Sequence, residues 1–261
     1  MYSALFGSYE KLNEQPVADK SDLRFVCFTD NPRLESDTWE LRVVKPRFPW
    51  DPTRSARELK ILGHPEILEY RTSLWIDNRV QLAMPPELFL PTFIRDAEIS
   101  LPLHSFRETV REEFYAVLQH GFDRAERVRE QLHHMTTHQP EVLTQQPYWT
   151  AILARQHGPS MQDAMTDWMF HVLRHSRRDQ LSVNAILNRS SLTVNALALD
   201  NFTSEYHTWL GVKKDEKILK DRSFIYPLSD DIRDRWLTSR AHGKTVGARR
   251  RLRAATSRGK A

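Results

Sequence analysis

The sequence predicts an α/β fold, with a mostly parallel central sheet flanked by helices and a helix-rich second half. Three observations predict it. Short β-rich runs ending in turn formers occupy the first 77 positions. A well-capped helix lies between two of those runs. After position 105, apolar residues recur at helical spacing. Strands that alternate with helices are the pattern of a parallel sheet covered on its faces.

In chain order, Tyr2 to Phe6 reads as a short strand stopped at Gly7, and Arg24 to Thr29 as a second, ended by Asp30-Asn31-Pro32. Trp39 to Val44 is a third. Asp51 caps a helix with Pro52 at its first position, and the helix runs to about Gly63 because Pro65 disfavours helical geometry at His64. Ser73-Leu-Trp-Ile-Asp77 is an apolar strand that ends in a carboxylate. Phe106, Val110, Phe114, Val117 and Leu118 form a helical stripe, continued past Gly121 by Phe122, Ala125, Val128 and Leu132. Thr150 to Ala154 is a return strand. Met161, Ala164, Met165, Trp168, Met169, Val172 and Leu173 share one face of a helix over 161–174, with Ser160 and Asp163 at capping-box spacing.

With 261 residues, 40% hydrophobic and 28% charged, the chain suits one large domain with a substantial core. The expected organisation is a domain over 1–215, an extension over 216–239 packing on it, and a basic, flexible tail over 240–261. Eight of the 38 Lys and Arg lie in that tail with no acid among them, which leaves 30 against 34 acids elsewhere. A mildly acidic body with a basic tail argues against a whole-protein nucleic-acid footprint. The tail is either a solubilising segment or a peripheral contact to an anionic membrane surface. The single cysteine, Cys27, sits in an apolar run and reads as a buried thiol. No apolar run is long enough to span a bilayer and no signal-peptide pattern opens the chain, so the expected compartment is the cytoplasm.

Ligands of open α/β sheets bind beyond the carboxyl ends of the strands. Gly7-Ser8-Tyr9, Thr29-Asp30 and Asp77-Asn78-Arg79 fall at such ends. Asp77 suits a cation bridging a diphosphate or a sugar hydroxyl, and equally a turn cap. Arg54, Arg57 and Lys60 lie on successive turns of one helix, as a phosphate clamp or as a solvated basic face. Asp179-Gln180 offers mixed acceptors and donors to sugar hydroxyls, and His104, with Arg107 and Glu112-Glu113, offers acid–base groups or hydroxyl contacts. His133, His134 and His138 lack companions that would make a zinc set. There is no Walker A loop, no Gly-x-Gly-x-x-Gly and no Gly-x-Ser-x-Gly, which counts against P-loop enzymes, ordinary dinucleotide dehydrogenases and α/β-hydrolases.

Taken together, Ala4-Leu-Phe-Gly-Ser-Tyr9, Cys27-Phe-Thr-Asp30, the Arg57/Lys60 helix followed by His64, Ser73-Leu-Trp-Ile-Asp77-Asn78, His104-Ser-Phe-Arg107 and Ser176-Arg-Arg-Asp-Gln-Leu-Ser182 resemble one family. It is a glycosyltransferase-like domain of bacterial polysaccharide loci and plant wall and mucilage biosynthesis, with a GT-A-type sheet. The resemblance covers roughly 2–210. It implies a glycosyltransferase that moves a sugar from a nucleotide-diphospho-sugar donor to a glycan or lipid-linked acceptor in surface or capsular polysaccharide synthesis. Gly7, Tyr9 and Asp30 would lie near base and ribose, with Arg57 and Lys60 toward the diphosphate. Asp77, followed by Asn78, would take the first carboxylate position of an Asp-x-Asp motif, holding Mn2+ or Mg2+. Asp179, Gln180 and His104 would face the reacting sugars. Arg79 stands where the second Asp belongs, so the cation site is incomplete. Tyr148-Trp149-Thr150-Ala151 replaces a Tyr-Glu-Thr-Gly-like stretch and lacks its Glu. The incomplete motif keeps open a second function, a non-catalytic nucleotide- or sugar-binding protein of the same fold.

Overall fold

The computed structural model describes residues 1–211; the extension expected at 216–239 and the basic tail at 240–261 lie outside the described residues. The strands are β1 (Tyr2–Leu5), β2 (Val26–Thr29), β3 (Glu40–Val43), β4 (Thr72–Ile76), β5 (Val80–Leu82), β6 (Ile99–Pro102), β7 (Ile152–Gln156), β8 (Val194–Leu197) and β9 (His207–Trp209). The α-helices are α1 (Pro52–Leu62), α2 (Pro65–Leu68), α3 (Leu90–Phe93), α4 (Val110–His120), α5 (Ala125–His138), α6 (Pro159–Arg174) and α7 (Gln180–Arg189).

Seven strands form one sheet in the order β3-β2-β1-β4-β7-β6-β8, and β5 pairs with β9 in a separate ribbon. Only β7 runs against its neighbours β4 and β6; every other adjacent pair is parallel. The fold is therefore the expected α/β class, a mostly parallel mixed sheet with helices on its faces. One consequence matters for function. The carboxyl ends of six strands and the amino end of β7 open on the same edge.

Alternation along each strand divides the core between two faces. Tyr2, Ala4, Val26, Phe28 and Trp75 join Ile61 of α1, Met161, Met165 and Trp168 of α6, and Val183 and Ile186 of α7. Leu5, Phe25, Cys27, Leu74 and Ile76 point the other way, onto Val80, Leu82, Phe89 and Phe93. Burial pushes the Cys27 thiol up to about 12, so it is inert as expected. No helix among the described residues is long and apolar enough to cross a membrane.

Asp51 caps α1 as expected, its carboxylate accepting from the Arg54 amide at 3.0 Å, with Pro52 in the first turn. Three expectations need correction. Phe106 and Phe122 lie outside the helices and are each 42% exposed. The first of these helices starts only where Thr109 caps the Glu112 amide, and the αL Gly121 ends it before Phe122. Ser160 and Asp163 form no capping box, because Pro159 already occupies the first turn and Gly158 is the cap. Leu173 is 40% exposed, in the last turn of α6.

Gly7 follows β1 with φ of 74°, and a Cβ there would stand 2.9 Å from Pro52 Cγ. Gly7→Ala therefore combines the left-handed backbone penalty, about 1–2 kcal/mol, with a collision against α1. A thermal melt should show a lower Tm; an unchanged Tm would refute the strain.

Burial holds His104 down to about 3, and His157 and His171 down to about 4, with neighbouring arginines adding to the effect. These rings are neutral in the folded chain and titrate near the ordinary 6.5 when unfolded. The unfolded state thus binds more protons below that value. Stability is full above about pH 6.5 and falls as the pH drops toward about 4. Urea midpoints at pH 7 and pH 5 should show the lower value at pH 5.

Candidate donor and transfer site

Strand β4 delivers Asp77 to the open edge. The Asp77 amide donates to the Ala151 carbonyl at 2.8 Å, carrying the pairing with β7 one step beyond the strand. Its Oδ1 accepts from Trp75 Nε1 at 2.8 Å and from Lys60 Nζ at 3.2 Å, and Arg57 Nη1 lies 3.9 Å away. The side chain is 24% exposed, and among the described residues no hydrogen bond or ion pair is made to its Oδ2. One carboxylate oxygen is thus fixed by the protein, and the other has no such partner among the described residues.

Helix α1 presents Arg57 and Lys60 one turn apart to the same place. Lys60 is fully buried, so it is not part of a solvated basic face. Its Nζ reaches Asp179 Oδ2 at 2.7 Å, Thr150 Oγ1 at 3.1 Å and Asp77. Arg57 Nε lies 2.9 Å from Asp179 Oδ1, and Thr150 Oγ1 donates to Asp179 Oδ2 at 2.8 Å. Two cations and two carboxylates make a neutral quartet that joins α1, β4 and the start of α7.

Asp179 is 1% exposed. Burial alone would raise its carboxyl, but Arg57 and Lys60 outweigh that and hold it well below the usual carboxylate range. Burial acts oppositely on Lys60, lowering its ammonium against the pull of Asp179 and Asp77. Such a network needs every partner, because a buried charge left alone is far costlier than the pair is stabilising.

The other expected site residues gather on the same edge in different roles. The Gly7 amide donates to both oxygens of Asp30, at 3.1 and 3.2 Å, which ties the ends of β1 and β2 together. Tyr9 is half-exposed, and its hydroxyl interacts with Glu10 and with the charges of Arg57 and Asp77. Asn78 is buried: its Oδ1 accepts from the Asn13 amide and its Nδ2 donates to the Lys11 carbonyl, both at 2.8 Å. Arg79 pairs with Glu10 at 3.0 Å. Arg54 bonds Asp51 and the carbonyls of Val172 and His175, which clamps α1 to the end of α6.

Farther along the edge, Gln180 is buried with its Oε1 3.4 Å from Arg178 Nη2. His104 is buried beside Glu113, which also pairs with Arg107 at 3.3 Å. Burial raises the Glu113 carboxyl, while Arg178 and Arg107 oppose it. Arg178 acts on Asp179 as well, so it links the two clusters.

Among the described residues, no three His, Cys, Asp or Glu side chains group as a metal site. Asp77 is the residue here that could hold a cation, through the oxygen that no described residue engages. That suits Mn2+ or Mg2+ held jointly with a bound diphosphate, since magnesium commonly takes one or two carboxylates plus phosphate oxygens.

A family profile described as TOD1/MUCI70, glycosyltransferase-like domain, matches residues 28–211. No curated protein sequence matches the chain significantly. Similar solved structures include mouse xyloside xylosyltransferase 1 in its apo form, at 11% identity over 75% of this chain and 83% of that one, with a TM-score of 0.43. Core-mannan synthase A from Aspergillus fumigatus, in its Mn/GDP form, is similar at 8% identity over 75% and 72%, with a TM-score of 0.44.

Proposed function

This chain belongs to the TOD1/MUCI70 glycosyltransferase-like domain family, and on that premise we propose that it transfers a sugar from a nucleotide-diphospho-sugar to a glycan or lipid-linked acceptor of a surface polysaccharide. The observation that carries this reading is Asp77 at the strand-end edge, held by Trp75 and Lys60 through one oxygen, while among the described residues no hydrogen bond or ion pair engages the other. Asp77 would hold a Mn2+ or Mg2+ ion jointly with the donor diphosphate, and that ion would supply the charge that stabilises the leaving nucleotide.

Gly7, Tyr9 and Asp30 line the nucleoside end of the site. Arg57 and Lys60 act mainly by fixing Asp77 and Asp179, because their charges are already matched within the quartet. Asp179 is a positioning residue. Its oxygens are engaged and its carboxyl lies well below the usual range, which makes it a poor proton acceptor. His104, neutral near pH 7, braces the far side through Glu113 and Arg107. Gln180 faces the transferred sugar.

The neutral quartet also favours a second reading, a nucleotide- or sugar-binding protein without catalysis, since its cations are spent on its own carboxylates. Incubating the full chain with Mn2+ and UDP-glucose, UDP-galactose, UDP-xylose or GDP-mannose separates the two. Slow release of UDP or GDP without acceptor is expected of a transferase. Nucleotide binding with no release from any donor would favour the binder.

A further inference from the structure

The two loops after β6 and β8 carry an aromatic pair that the donor site does not use. Phe106 and Phe202 stack with ring centroids 5.2 Å apart and planes 9° from parallel, yet they are 42% and 52% exposed. Their loops are stapled together. Asn201, buried, accepts the Ser105 amide at 2.8 Å and donates through Nδ2 to the Leu103 carbonyl at 2.9 Å, while its own amide donates to Ser105 Oγ at 3.1 Å. The Phe202 amide donates to Asp200 Oδ1 at 2.8 Å and its carbonyl accepts from Trp209 at 2.7 Å. The His104 and Phe106 rings meet in a T-shaped arrangement with centroids 4.2 Å apart, and the Arg107 guanidinium lies 5.0 Å from the Phe106 ring centre. An apolar surface this exposed and this firmly held is a prepared platform rather than a loose loop.

Its position says what it is for. Strands β6 and β8 run parallel to β4, so the platform stands on the edge where Asp77 and Asp179 lie. Two strand spacings, roughly 10 Å, separate the end of β6 from that of β4. A short oligosaccharide covers that span. Between the two, Glu113 lies against Arg107 and His104, and the charge of Arg178 is felt by both Asp179 and Glu113.

We propose that the stacked Phe106–Phe202 pair is the acceptor subsite, receiving the apolar C–H face of a pyranose ring in a glycan whose reacting hydroxyl extends toward Asp77 and Asp179. The polar rim of Arg107 and the cation-flanked aromatic ring suit an amphipathic ring with equatorial hydroxyls. This assignment rests on the transferase reading, and its test keeps the two apart.

The probes are the methyl α- and β-pyranosides of glucose, galactose, mannose and xylose, followed by saturation-transfer NMR on the full chain, with UDP and GDP titrations run in parallel. Wild type should show transfer to axial ring protons for at least one pyranoside. Phe202→Ala and Phe106→Ala should weaken that binding roughly tenfold and leave nucleotide affinity unchanged. Phe202→Tyr should restore it, and Phe170→Ala, on the exposed side of α6, should not change it. Nucleotide binding without any pyranoside signal, or pyranoside binding indifferent to both alanine variants, would overturn the subsite and leave the donor reading standing. Absence of both kinds of binding would overturn both.

Discussion

Asp179→Asn is expected to lower the unfolding free energy by about 3–5 kcal/mol at pH 7, the range for breaking a buried ion pair from one side. The substitution keeps the shape of the side chain, so the loss comes from charge. Lys60 is fully buried and the Arg57 side chain is 15% exposed, and both pair with Asp179 at under 3 Å. Without that carboxylate they share Asp77 alone. A urea titration should show a lower midpoint with an unchanged slope. The pH dependence gives a second signature. A lysine whose ammonium is lowered in the folded state binds fewer protons there than in the unfolded chain, so the variant should regain stability as the pH rises toward the ordinary lysine value of 10.5. Adding Lys60→Met should recover much of the loss, since the unpaired charge goes with it. A variant as stable as wild type would refute the quartet.

Asp77→Asn should separate function from stability. The amide oxygen still accepts from Trp75 and Lys60, and Lys60 keeps Asp179 and Thr150. The side chain is partly exposed, so a stability loss of about 1 kcal/mol is expected, the net of one hydrogen-bonded contact. Transfer should nevertheless drop by about 100- to 1000-fold, the usual effect of removing one group that stabilises developing charge. If activity fell only in proportion to the folded fraction, Asp77 would be a structural residue.

The first 77 residues were legible because their strands end in Gly7, Asp30-Asn31-Pro32 and Asp77, where backbone chemistry punctuates the chain. The elements that escaped notice lack such marks. Helix α7 is buried from Gln180 through Leu187, polar positions included, so no apolar stripe sets its period. Strand β6 is four residues long and ends in Pro102, and β8 at the sheet edge is half-exposed. In the site, Asp77, Arg57, Lys60 and Asp179 stood out singly as chemically capable residues. Their neutralisation of one another did not, because the partners come from separate elements up to 122 positions apart. Trp75, Thr150 and Arg178 stand inside stretches compared with the family, and Glu113 was paired with His104, but spacing alone does not show that Trp75 and Thr150 hold Asp77 and Asp179. The aromatic pair was read as half of a helical stripe at Phe106, and only the fold brings Phe202 beside it.

The account turns on the Asp77 oxygen that no described residue engages. Isothermal titration of the full chain with UDP and with GDP, each with and without Mn2+, measures it most directly, beside the same titrations of Asp77→Asn. Binding of one nucleotide that strengthens with Mn2+ in wild type, and loses that strengthening in the variant while the fold persists, is the expected result. Nucleotide binding equally strong in both proteins and indifferent to Mn2+, or no binding under any condition, would contradict it.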